Sequence, residues 1–130
     1  MAVTWEILHS VLVLTSTGYG GQGTVAALTE AISDPRFRPG LALLFDMRLA
    51  TDNPSSAEMR SRAKFLASLR PLGISHRCAQ VVGPRPHQYG IARMEAAHLE
   101  FQGMELEVFS DVNEALLWLA QPATSLLETN

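Results

Sequence analysis

The strongest constraint on the fold is a regular alternation between short apolar or β-branched runs and longer segments with helical periodicity. A hairpin pattern over residues 4–7 and 11–17 comes first, and helix-like and strand-like segments then alternate up to residue 121. The resulting order is β-β-α-β-α-β-α-β-α. Strands that alternate with helices form a mostly parallel sheet, because each right-handed crossover brings the next strand back in the same direction. The sequence therefore predicts a single three-layer α/β domain with about five strands and helices on both faces.

Local signals set the limits of the predicted elements. Apolar or β-branched runs place the later strands at residues 41–45, 77–83 and 105–109, and apolar spacing places the helices at residues 24–33, 53–72, 87–101 and 111–121. The second helix begins either at Ser55, with Glu58 completing a capping box, or at Asn53. Its residues expected to point inward are Met59, Ala63, Leu66 and Leu69. Those expected mostly in solvent are Arg60, Arg62, Lys64 and Arg70.

Composition excludes several classes of protein. Charged residues make up 18% of the chain and the net charge is −3, which argues against disorder and against nucleic-acid binding. No apolar run approaches the length that spans a bilayer, and the first residues lack the basic start of a secretory signal, so a cytoplasmic protein is expected. A lone cysteine, Cys78, excludes an internal disulfide, and the scattered histidines predict no metal site. The domain is expected to cover residues 1–121, with a frayed tail at 122–130.

A glycine-rich loop follows the second predicted strand. Gly18 to Gly23 match the pattern G-x-G-x-x-G and open a helix, as in dinucleotide sites where the pyrophosphate sits on a helix N-terminus. Asp46 would then take the role of the ribose-binding acid. The motif alone is weak evidence, and 130 residues hold only about one mononucleotide-binding half. A connecting loop without a ligand is the simpler interpretation.

Charged and aromatic residues follow two neighbouring predicted strands. Asp46 and Arg48 come after the third strand, and Arg85, His87 and Tyr89 follow the fourth. Because ligands of open α/β sheets gather at the carboxyl ends of parallel strands, these five residues are the predicted ligand or partner site. The residues Asp46, Arg48, Arg85, His87 and Tyr89 are called the strand-end rim below. The alternative is that each side chain is solvated separately or that Asp46 pairs locally with Arg48.

Two further candidate groups have simple structural interpretations. Ser55 and Ser56 could accept a phosphate, since a helix N-terminus stabilises added negative charge, but helix capping explains both serines. Cys78 and His76 are two residues apart, and a cysteine hydrolase would need such a base beside its thiol. Cys78 is expected to be buried and inert instead, because it begins an apolar strand.

The order of elements, together with several short segments, resembles the SpoIIAA-like group of the STAS domain superfamily. The resemblance spans about residues 3–121. It lies in Gly18 and Thr24 and in residues 34–37, 44–48, 79–82, 89–94, 108–111 and 114–119. It implies a non-catalytic domain that acts in protein partner switching or binds apolar ligands. The phosphorylated Asp-Ser-Ser-Gly segment of the bacterial anti-sigma-factor antagonists has no equivalent after Asp46, which argues against a phosphoswitch.

The sequence thus predicts a non-enzymatic binding or regulatory domain without a cofactor. Its expected partner is another protein or a second copy of the chain, contacted through the strand-end rim and the adjoining helix. The first alternative is a carrier of a small apolar or lipid-like ligand, held between sheet and helices. The second is a nucleotide-dependent enzyme that uses the Gly18–Gly23 loop.

Overall fold

A computed structural model describes residues 3–18, 23–51 and 53–121 of the chain. The strands are β1 (Val3–Leu8), β2 (Val11–Gly18), β3 (Ala42–Ala50), β4 (Arg77–Val81) and β5 (Glu105–Phe109). The helices are α1 (Thr24–Ile32), α2 (Ser56–Ala67), α3 (Pro86–Phe101) and α4 (Val112–Ala120), with a 3-10 turn over Arg70–Leu72. The predicted β-β-α-β-α-β-α-β-α order is confirmed. The expected tail, residues 122–130, lies outside the described residues.

The five strands form one sheet in the order β1-β2-β3-β4-β5. β1 is antiparallel to β2, and every later pair of neighbours is parallel. The hairpin lacks an Asn-Gly pair, and His9 provides the left-handed conformation in its turn with φ of 56°. This topology leaves β1 and β5 as the two edge strands.

The two faces of the sheet carry separate apolar cores. Leu43 points into the larger core, to which α1, α2 and α3 contribute Leu28, Leu66 and Leu99. Its neighbour Leu44 points the other way, because successive strand residues alternate between faces, and belongs to a smaller core under α4. Three helices therefore cover one face, and α4 covers the other.

β3 is longer than predicted, and this changes the position of two rim residues. It runs to Ala50 because β2 continues to pair with it, from Thr15 opposite Asp46 to Gly18 opposite Ala50, with a bulge between. Asp46 and Arg48 consequently lie inside the strand and not beyond its end. β4 is shorter than predicted and ends at Val81.

The second helix confirms its predicted start and most of its inward face. Ser55 is the N-cap, and its hydroxyl accepts a hydrogen bond from the backbone N–H of Glu58, whose carboxylate accepts one from the Ser55 N–H. The four residues predicted to point inward are all buried: Met59, Ala63, Leu66 and Leu69. The prediction that Arg62 lies in solvent is wrong, because its stem follows the inward face and its guanidinium reaches α3. In the described part of the chain, no helix is long and apolar enough to cross a membrane.

Candidate functional site

Asp46 and Arg48 form a local ion pair on the face of the sheet that α4 covers. Asp46 pairs laterally with Val81, a member of the smaller core, so its side chain points to the same face. The Arg48 Nε and Nη2 atoms donate to the two carboxylate oxygens of Asp46 over 2.9 and 2.8 Å. These hydrogen bonds lower the pKa of Asp46, although partial burial acts in the opposite direction. The carboxylate that a ribose would require is thus already occupied by Arg48.

The other three rim residues lie at the start of α3. Arg85 is its N-cap residue, and its guanidinium donates to the carbonyl of Ala50 at the end of β3. The Gln88 amide donates to the same carbonyl and accepts a hydrogen bond from the N–H of Gly83. His87 and Tyr89 are exposed. These bonds tie the loop after β4 to the end of β3.

The strand-end rim therefore divides into two groups with separate partners. Within residues 3–18, 23–51 and 53–121, no hydrogen bond or ion pair joins the Asp46–Arg48 pair to Arg85, His87 or Tyr89. The backbones nevertheless adjoin, since a Cβ atom placed on Gly83 would lie 3.1 Å from the carbonyl oxygen of Arg48. That these residues bind an anion together stays a prediction.

The other sequence-predicted groups have clear structural positions. Gly18 ends β2 with φ of 57°, Gly23 is the N-cap of α1, and the four residues between them lie outside the described residues. The Ser55 hydroxyl serves as a helix cap, and Ser56 is the exposed first residue of α2. Burial, together with the nearby Glu105 carboxylate, raises the pKa of the Cys78 thiol to about 12, so the thiol is un-ionised at neutral pH. In the described segments, no group of three or more potential ligand side chains could hold a metal ion.

The structure reveals a cleft that no sequence pattern had singled out. It lies between the sheet and helices α1, α2 and α3, and its walls are mainly the apolar side chains of Phe45, Met47, Met59, Phe65, Leu66 and Leu99. The cleft is partly open to solvent, and the space within it that a water-sized molecule can reach is about 40 Å³. Since roughly 10–15 Å³ of such space holds one water, the cleft has room for a few waters. A lipid-sized ligand does not fit it in this form.

Three polar side chains converge on this cleft. Gln80 extends from the middle of β4, and its amide nitrogen donates to one carboxylate oxygen of Glu95 on α3 over 3.2 Å. The guanidinium of Arg62 on α2 donates to the other carboxylate oxygen over 3.2 Å. Gln80 is 6% exposed, and the charged side chains are 19% and 14% exposed for Arg62 and Glu95. We call these three residues the cleft polar cluster.

Sequence reasoning missed the cleft polar cluster, although two signals pointed to it. Gln80 is the one polar residue in the apolar run from Cys78 to Val82, which favours a buried polar group. Arg62 lies three residues after Met59 and four before Leu66, which places it beside the inward face of α2. Glu95 lies three residues after Ala92 and four before Leu99, which likewise places it beside the inward face of α3.

Three large apolar or aromatic side chains of α3 are exposed. Phe101 is 89% exposed, Tyr89 is 50% exposed and Met94 is 48% exposed. Residues separated by seven lie on nearly the same side of a helix, so Met94 and Phe101 share one side. Beside this helix runs β5, whose outer edge pairs with no other strand among the described residues.

Comparison with known proteins identifies the fold. No protein-family model and no curated protein matches the chain. One solved structure is similar: an uncharacterized protein from the DUF3478 family with a SpoIIAA-like fold, from Shewanella loihica PV-4. It is 19% identical in sequence, the TM-score is 0.57, and the match covers 92% of this chain and 93% of that one. The resemblance inferred from the sequence is thereby confirmed at the level of the fold: the chain has a SpoIIAA-like fold.

Proposed function

We propose that the chain is a non-enzymatic binding domain that acts by contact with another protein. The contact surface is the outer face of α3 together with the adjoining edge of β5. The observation that carries the proposal is the exposure of Met94 and Phe101 on one side of α3. Exposed apolar patches on folded proteins commonly mark interaction sites, because water contact with them is unfavourable. His87 of the strand-end rim is exposed, and it lies seven residues before Met94, on the same side of the helix.

A groove between α3 and β5 supplies room for an extended segment of the partner. Its volume is about 500 Å³, and its apolar lining consists of Ala96, Ala97, Met104 and Leu106. The edge of β5 presents backbone N–H and C=O groups to any strand that aligns with it. An extended peptide can therefore hydrogen-bond to this edge while its apolar side chains contact the groove.

The charges around the groove favour a basic partner. Glu100, Glu105 and Glu107 line it together with Arg93, and Glu105 also pairs with Arg77 over 3.9 Å, which leaves an excess of negative charge. A second copy of the chain, paired edge to edge, would bring its own glutamates against these, which is unfavourable. We therefore assign the surface to an extended segment of another protein that carries Lys or Arg beside apolar residues. The un-ionised, buried thiol of Cys78 also supports a role other than nucleophilic catalysis.

The test is affinity purification of tagged protein from the cells that produce it, followed by reconstitution with the purified partner. Phe101→Ser and Met94→Ser are expected to lose the partner, while Leu117→Ser is expected to keep it. Leu117 is the matched control because it is a 69% exposed apolar residue on a different helix, α4. Glu107→Lys is expected to weaken reconstituted binding roughly ten-fold and to reduce its salt dependence, through loss of charge complementarity.

Two outcomes contradict the proposal. One is a reconstituted partner that binds Phe101→Ser as tightly as the wild type. The other is a wild-type protein that light scattering shows to be a dimer, with Phe101→Ser monomeric, because the surface would then belong to a second copy.

A further inference from the structure

We infer that the cleft under α2 and α3 is a second binding site, for a small neutral molecule with an apolar body and one O–H or N–H donor. The site is independent of the proposed protein contact, since it lies between the helices and the sheet and not on the outer face of α3. Its central contact is the side-chain carbonyl of Gln80. The apolar walls of the cleft favour an apolar ring, and the cleft polar cluster favours a neutral molecule with a hydrogen-bond donor.

Gln80 has an unused acceptor at this position. Its amide nitrogen donates to Glu95, but its carbonyl oxygen accepts no hydrogen bond from the described residues. The reversed orientation of the amide would place that oxygen against the Glu95 carboxylate, so the hydrogen bond fixes the assignment. Buried polar groups in native proteins nearly always have a partner, and the exceptions call for an explanation. Gln80 lines the cleft, so a donor bound there would supply the missing bond.

The walls of the cleft fit an apolar ring. Phe45 and Phe65 offer aromatic surface, and Met47 and Met59 are unbranched side chains that adapt their shape to a bound group. The cleft is partly open and offers about 40 Å³ to a water-sized molecule, so a ligand would place its donor toward Gln80 and part of its ring toward the opening. A small ring fits this arrangement better than a long acyl chain, for which the cleft is too small.

The ligand should carry no net charge. The two charged groups at the cleft, Arg62 and Glu95, already form an ion pair at 3.2 Å. A charged ligand would lose its hydration without a counter-charge to replace it, which is unfavourable. A neutral hydroxyl or ring N–H loses less and gains the bond to Gln80.

Phenol and toluene are suitable probes because they have nearly the same size and differ in one donor. Titration of isotope-labelled protein, followed by NMR, is expected to show saturable phenol binding with shifts centred on residues that line the cleft. Toluene is expected to bind roughly ten-fold more weakly, since it leaves the Gln80 carbonyl unpaired. Hydrophobicity alone would favour toluene, so a preference for phenol reports the hydrogen bond.

The variant Gln80→Leu is expected to reverse that preference, because it removes the acceptor and keeps the volume similar. Gln102→Leu is the matched control, a half-buried glutamine at the end of α3 that does not line the cleft. If Gln80→Leu does not fold, the wild-type comparison of the two probes decides alone. The inference is overturned by the absence of saturable phenol binding, by equal or tighter binding of toluene to the wild type, or by shifts away from the cleft. None of these results bears on the contact made by α3.

Discussion

The two faces of the sheet bury their apolar side chains under different sets of helices. On one face, three helices enclose the larger core and leave a cleft whose polar cluster joins α2, α3 and β4. On the other face, α4 alone covers a smaller core, and the Arg77 guanidinium stacks over the Trp118 ring at 3.9 Å. On the first face, α2 and α3 pack against each other. On the second face, Arg77 holds the C-terminal part of α4 through Trp118. The cleft between helices and sheet, where we propose that a ligand binds, is therefore a feature of the first face. The contacts on the second face hold α4 in place.

The largest expected effect comes from two adjacent leucines that point to opposite faces. Leu43 and Leu44 are both fully buried in β3. Leu43→Ala is expected to lower the free energy of unfolding by about 4 kcal/mol and Leu44→Ala by about 3 kcal/mol, within the usual range for buried leucines. The cavity under α2 and α3, which pack against each other, should collapse less than the one under α4, which can move toward the sheet. Urea unfolding of both variants measures the difference, and a larger loss for Leu44→Ala would mean that α4 is the more rigid cover.

A smaller effect is expected from removing one charge of the cleft polar cluster. Glu95→Leu should lower the free energy of unfolding by about 2 kcal/mol, because Arg62 then keeps a mostly buried charge without this carboxylate and Gln80 loses its acceptor. The double variant Arg62→Met with Glu95→Leu should recover at least half of that loss, since no other charged side chain among the described residues lines the cleft. Denaturant unfolding of the wild type, the single variants Glu95→Leu and Arg62→Met, and the double variant forms a complete double-mutant cycle. Additive losses would show that the pair does not act as a unit.

The contrast between faces also shows what sequence patterns can predict. The fold follows from local periodicity: the run at 41–45 and the spacing of Met59, Ala63 and Leu66 identify a buried strand and an amphipathic helix without any knowledge of their neighbours. Local periodicity does not predict where β3 ends, because the polar residues after Phe45 are held in the strand by pairing with β2. The position of Gln80 opposite Phe45 likewise depends on strand register, which is a property of the sheet.

The functional residues were harder to predict than the fold for the same reason. Arg62 and Glu95 are 33 residues apart in sequence, and only the packing of α2 against α3 brings them together. The strand-end rim was derived from topology, which correctly placed two strand ends side by side. Topology could not decide between a shared site and the alternative local pair of Asp46 with Arg48, which the structure shows. It also did not indicate that Arg85 would donate to a backbone carbonyl. The hydrogen-bond partner of a side chain depends on local geometry, and the order of the strands and helices does not determine that geometry.

On the face covered by α4, the contact between Arg77 and Trp118 should contribute a moderate amount. Arg77→Leu is expected to lower the free energy of unfolding by about 1 kcal/mol, because it removes the cation–π contact and the hydrogen bond to the carbonyl of Gln121. Trp118→Leu should cost more, since it also removes the packing of Trp118 against Phe109 at 5.8 Å. Thermal unfolding of both variants checks the order. Equal losses would assign the whole effect to the cation–π contact.

The smallest expected effect concerns Asp46 and its pH dependence. Arg48 lowers the pKa of Asp46 in the folded protein, so the ionised pair stabilises the fold above the ordinary aspartate pKa, near pH 4. That stability is lost as the pH falls through the lower, folded-state pKa. Because about half of the Arg48 side chain is exposed and solvent screens the pair, its contribution at neutral pH should be only about 0.5 kcal/mol. Asp46→Asn should therefore be slightly less stable than the wild type at pH 7 and equal to it near pH 2.

A second aspartate offers the matched control for that prediction. Asp34 forms the same two-residue pair with Arg36, at 2.9 Å, but its side chain is 25% exposed against 14% for Asp46. Solvent screens the more exposed pair more strongly, so Asp34→Asn should show a smaller difference between pH 7 and pH 2. Urea midpoints at the two pH values and at high salt measure both variants. If Asp34→Asn shows the larger pH dependence, then the cover provided by α4 does not strengthen the Asp46–Arg48 pair, and the two faces differ in their packing alone.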